Sequence, residues 1–232
     1  MSKRLIMMAP GHQTRASSPS HVPSVKLVAW TLVTGALLVS GALHEVRPPQ
    51  PSTDQALSTP AAPAVAPTAA AVTGLAVEPL RPAPPLRLRI PVIGVDAPMS
   101  SLSLDASGAL QPPPADNPRL VGWYGGGTSP GSVGTAVTTG HVDLPTGGPG
   151  VFYGLGSVVK GNTIEIDRAD GRTAVFTVDA VEVYDKERFP DDKVYGGSDR
   201  AELRVITCGG GYTKNTGYRS NVVVYASLAA VR

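Results

Sequence analysis

Three side chains in this sequence have the types needed for covalent acyl chemistry: Cys208, His141 and Arg219. A cysteine attacks through its thiolate, which a nearby imidazole or cation stabilises. A guanidinium, with its several fixed donors, suits the oxyanion that forms when a carbonyl is attacked. Cys208 is the only cysteine of the chain. It ends the run "LRVITC", and His141 follows "AVTTG", so both sit where a strand runs out into a loop. Such junctions are where rigid elements present functional residues. The pair is 67 residues apart, and only the fold can bring it together. Arg204 competes with Arg219, because positions 204, 206 and 208 of an undisturbed strand share a face. The residue types also allow an inert buried thiol, a structural histidine and a surface arginine.

The composition excludes several other chemistries. Formal net charge is +2 over 232 residues, and no basic block marks a nucleic-acid partner. A lone cysteine has no disulfide partner within the chain. The other histidines, His12, His21 and His44, precede the part that reads as folded, so neither a zinc site nor any other metal or cofactor is expected. Gly (26) and Pro (23) make up about a fifth of the chain, against about 12% in ordinary proteins, and they segregate.

That segregation divides the chain. Residues 1–24 are polar, with cations and no acid. Residues 25–43 hold the apolar stretch "LVAWTLVTGALLVSGAL", close to the 17–25 residues that span a bilayer. Cations before it and Glu45 after it predict a cytoplasmic N-terminus and an extracytoplasmic remainder. A cleaved leader is the alternative, though the apolar stretch exceeds the usual 7–15 residues. Residues 44–85 are rich in Pro, Ala and Thr and read as a semi-rigid spacer. From residue 86 to 232 short alternating runs separated by turn signals predict an all-β domain, closed or nearly so. Ala169-Asp170-Gly171 marks a hairpin. The helix content is small, with one short candidate near Val151–Leu155.

"TTGHVD", then "LRVITCGG", then "YRSNVVVYA", in that order, resemble the motifs of sortases. "GWYGGGTSPGSVGTAVTTGHVD", "GVFYGLGSVVKGNTIEI" and "FPDDKVYG" are most similar to class F sortases of actinobacteria. The resemblance covers roughly residues 86–232. It implies an eight-stranded β-barrel on a membrane anchor, acting as a cysteine transpeptidase. The implied reaction cuts an LPxTG-like sorting signal of a surface protein between Thr and Gly. The Thr carboxyl is then joined to an amine of a peptidoglycan precursor. Cys208 would be the nucleophile, His141 the proton carrier and Arg219 the oxyanion or substrate holder. Asp143 and Thr207 match family positions near the substrate. Ile206, in I-T-C, departs from the broader family pattern.

Some sortases bind calcium through acidic residues before the Cys strand. Here Asp185, Glu187, Asp191, Asp192 and Asp199 alternate with Lys186, Arg188, Lys193 and Arg200, which reads as a solvated loop without metal. L,D-transpeptidases also use Cys and His, but "ITCGGG" lacks their flanking pattern, and papain-like peptidases place Cys before His. The remaining alternative is a catalytically silent, membrane-tethered β-domain that binds wall or protein partners.

Overall fold

The computed structural model describes residues 48–52, 77–213 and 215–232. The segments 1–24 and 25–43 lie outside these, as does most of the expected spacer. Among the described residues no helix is long and apolar enough to cross a membrane.

Eight strands follow one another: β1 (Pro85–Ile90), β2 (Val95–Leu102), β3 (Val121–Tyr124), β4 (Gly134–Thr139), β5 (Thr163–Arg168), β6 (Thr173–Asp185), β7 (Ala201–Thr213) and β8 (Gly217–Val231). They close into a barrel in the order β1-β2-β3-β4-β7-β8-β6-β5, with β5 returning to β1. Closure leaves no exposed sheet edge. The hairpin forms where Ala169-Asp170-Gly171 marks it, and β5 and β6 pair antiparallel from Asp167↔Thr173 to Thr163↔Thr177. β3 does not stand out in the sequence, because four residues rich in Gly and aromatics carry no alternating pattern.

Alternation fills the interior. Ile164 and Ile166 of β5, Phe176 and Val178 of β6, Leu203 and Val205 of β7, and Val222 and Val224 of β8 join one buried cluster. Each such side chain contributes about 1.5–3 kcal/mol by leaving water. The stretch expected to be helical near Val151 is a run of turns ending in a 3-10 turn, Leu155–Ser157. It sends Phe152 and Leu155 into the same core. A short α-helix, α1 (Asp191–Tyr195), lies in the segment between β6 and β7. Its Val194 belongs to a second apolar cluster with Val137, Ile206 and Val223, partly covered by Tyr184, Phe189, Tyr195 and Tyr225.

The chain joins the domain ahead of residue 86. Leu80 is buried in the core and donates its N–H to the Gly131 carbonyl. Arg168, with no exposed side-chain surface, donates to the carbonyls of Arg81 and Pro130 and pairs with Asp170 at 2.9 Å. One buried guanidinium thereby fastens this incoming segment to the barrel.

Candidate active site

β7 lies between β4, which runs parallel to it, and β8, which runs antiparallel. Its inward residues, Leu203, Val205 and Thr207, alternate with outward residues Arg204, Ile206 and Cys208. Cys208 therefore sits on the outer face, one step beyond Ile206, and is part-buried.

The register of β4 on β7 positions His141. Thr139 pairs with Ile206, Gly140 donates its N–H to the Ile206 carbonyl, and the Thr207 hydroxyl donates to the Gly140 carbonyl at 2.8 Å. The ladder ends at Thr139↔Ile206, so His141 lies two residues past the last paired residue of β4 and Cys208 two residues past its partner on β7. Gly140 is required here, since a Cβ would meet the Phe152 ring at 2.7 Å. His141 Nε2 donates to the Pro113 carbonyl at 2.7 Å.

Thr207 thus acts as a buried clamp between β7 and the residue that follows β4, and faces the opposite side of the sheet from Cys208. Replacing it with valine keeps the shape and deletes the donor. Thr207→Val is expected to lower stability by about 1–2 kcal/mol, measured by urea unfolding.

On the other side Cys208 pairs with Asn221 and Gly209 with Ser220, and then the register slips. Gly210 and Gly211 face the single residue Arg219 before pairing resumes at Tyr212↔Tyr218. This is a β-bulge, a device that redirects side chains beside functional sites. Gly210 has φ +74, a conformation that strains other residues, and a Cβ there would also meet the Ser220 hydroxyl at 2.6 Å. Arg219 is exposed, and its charge acts on Asp185, whose carboxyl is held below its usual range by Arg188, Ser220 and Arg219. Asn221 Oδ1, across the ladder from Cys208, is buried without a hydrogen-bond partner among the described residues.

Arg204 shares the outer face but is engaged elsewhere. It pairs with Glu202 at 2.7 Å and stacks 4.5 Å from the centre of the Tyr225 ring. Four residues of strand place its Cα about 13 Å from that of Cys208. Asp143 accepts a hydrogen bond from the Tyr218 hydroxyl at 2.7 Å, and burial together with this carboxylate pushes the phenol's pKa up.

The polar contact of the sulfur is Lys186, whose Nζ donates to Sγ at 3.7 Å. Burial pushes the thiol's pKa up, the Lys186 ammonium draws it back, and Asp143 adds a smaller upward push. Sequence reasoning misses Lys186, because a lysine between Asp185 and Glu187 reads as part of a solvated loop. Its position after the end of β6 was the available signal. Asp185 itself pairs with Arg188 at 2.9 Å and accepts from the Ser220 hydroxyl at 3.2 Å.

Residues 48–52, within the expected spacer, touch this same region. Gly210 donates its N–H to Gln50 Oε1 at 2.8 Å, and the Pro49 carbonyl lies over Gly156, where no Cβ would fit.

A closed eight-stranded barrel carrying a thiol, an imidazole and two cations at one end of its β4-β7-β8 face defines a candidate cysteine acyl-transfer site. The profile of the Sortase domain family matches residues 88–229, and the chain belongs to the sortase family. No curated protein matches at the sequence level. Among solved structures, sortase C1 of Streptococcus agalactiae is 23% identical, with a TM-score of 0.47 over 62% of this chain and 66% of that one. Sortase A of Listeria monocytogenes is 15% identical, with a TM-score of 0.48 over 66% of this chain and 90% of that one. Sortase C-1 of Actinomyces oris is 22% identical, with a TM-score of 0.48 over 62% and 73%. The chain spans slightly less than two thirds of the length of the Streptococcus agalactiae structure.

Proposed function

We propose that this protein is a membrane-anchored cysteine transpeptidase of the class F sortase type. It acts on surface proteins that end in an LPxTG-like signal. The observation that supports this reading is the strand order β4-β7-β8, in which Cys208 lies on β7 just past the end of the β4 ladder that leads to His141, and just before the bulge opposite Arg219 on β8.

In the proposed reaction the Cys208 thiolate attacks the Thr carbonyl carbon of the signal. The resulting oxyanion is held by Arg219. The Thr–Gly C–N bond breaks, His141 gives a proton to the departing amine, and a thioester to Cys208 remains. An amine of the peptidoglycan precursor then loses a proton to His141 and attacks the thioester. The new amide forms as the thiolate leaves. The 17-residue uncharged stretch ahead of the domain supports membrane attachment, with catalysis outside the cell.

The test incubates the protein with an LPxTG-type peptide, with and without an amine acceptor, and follows intact mass. A thioacyl adduct on the protein that is discharged into an amide product is expected. Absence of both adduct and product overturns the reading. Arg219→Ala is expected to slow turnover by about 10²–10³, the cost of one oxyanion donor, while Arg204→Ala leaves adduct formation near the wild-type rate. The reverse ranking would transfer the role to Arg204.

A further inference from the structure

We propose that Lys186 is a further catalytic residue, the cation that holds the Cys208 thiolate. The inference rests on the reading of Cys208 as the nucleophile and adds to it a residue outside the His, Cys and Arg set.

The geometry carries it. Lys186 follows the last residue of β6 and opens a 3-10 turn, Lys186–Arg188. That turn is pinned to the face that bears Cys208: Asp185 pairs with Ser220 in the β6–β8 ladder, and Ser220 pairs with Gly209, next to the thiol. The Asp185 carboxylate is bonded to the Ser220 hydroxyl and to Arg188. It is therefore engaged by other donors, and among the described residues Lys186 makes no ion pair. The ammonium points instead at Sγ, 3.7 Å away, and is itself only part-exposed. A charge held at that distance from a part-buried sulfur is felt far more strongly than the same charge in open water.

Among the described residues Lys186 is the cation in contact with the sulfur. On β8, Arg219 is exposed and its field falls on Asp185, while Asn221 is neutral. Beyond β4, His141 donates Nε2 to the Pro113 carbonyl, and Asp143, bonded to Tyr218, opposes a thiolate. Lys186 is thus the cation that offsets both burial and Asp143. A lysine, as a compact point charge on a flexible stem, fits this role and can release Sγ when the acyl group forms.

Because Cys208 is the only cysteine, alkylation of the full-length chain by iodoacetamide, read by intact mass from pH 5 to 10, reports its thiolate alone. Lys186→Met and Lys186→Gln are each expected to slow alkylation about ten-fold at pH 7 and to shift the profile to higher pH, as loss of one close opposite charge does. Lys186→Arg is expected to restore most of the rate. Two neutral replacements guard against a fold effect in either, and thermal unfolding checks both. Profiles of folded Met or Gln variants that superimpose on the wild type overturn the proposal, as does an arginine variant no faster than the neutral ones. The assay contains no peptide, so its failure leaves the transpeptidase reading standing. Conversely, a Lys186-dependent thiolate in a protein that forms no thioacyl adduct would sink only that reading.

Discussion

Replacing Cys208 with alanine is expected to abolish thioacyl formation and to reduce cleavage of an LPxTG-type peptide to background. The replacement removes one heavy atom from a part-buried position, so its structural cost is small. The chemical cost is total, because among these residues only the thiolate can form the covalent intermediate. Residues that act as one unit also lose activity non-additively, so adding His141→Ala to Cys208→Ala should change nothing further. Peptide cleavage followed by chromatography, beside thermal unfolding of the same sample, separates the effects. An inactive variant that melts within a few degrees of the wild type is the expected outcome. Retained turnover would show that Cys208 is packing rather than chemistry.

The second large effect concerns stability. Arg168→Ala is expected to destabilise the domain by about 3–5 kcal/mol, the range for breaking a buried charged network. Arg168 has a fully buried side chain, and its partners are the carbonyls of Arg81 and Pro130 and the Asp170 carboxylate. Truncation opens a cavity and leaves two carbonyls without donors while Leu80 and its neighbours lose their fastening. For a domain of this size, that corresponds to a fall in Tm of about 10 °C. Calorimetry on wild type and variant checks it. A change under about 1 kcal/mol would mean that water replaces the guanidinium at no cost.

These cases show which parts of the molecule are legible in sequence. The alternation in "NTIEIDRADGRTAVFTVDAVEVY" fixes both strands of the hairpin, because period-two patterning and a turn tripeptide are local signals. The strand exit after Thr139 is legible for the same reason, but the one expected after Cys208 is not there: β7 runs on to Thr213, because the residues beyond the cysteine still pair with β8. The competition between Arg204 and Arg219 is not legible, since it depends on Glu202 and Tyr225 holding one arginine and on a bulge redirecting the other. Lys186 is hidden more deeply. Its charge is balanced by its sequence neighbours, and its nearness to the thiol arises from two strand registers that no local pattern encodes. Leu80 is obscured by the prolines around it, which describe a spacer well even where the chain is already packed.

The parallel pairing of β4 with β7 has a kinetic consequence. It joins segments more than sixty residues apart, with two further strands and a helix between them. Contacts of such long range make folding slow, because loop entropy is lost before the contacts form. The strand leading to His141 and the strand carrying Cys208 therefore join only when the barrel closes, and until then Cys208 is an ordinary solvent-exposed cysteine. Change in the thiol's reactivity during refolding is therefore a direct clock for barrel closure.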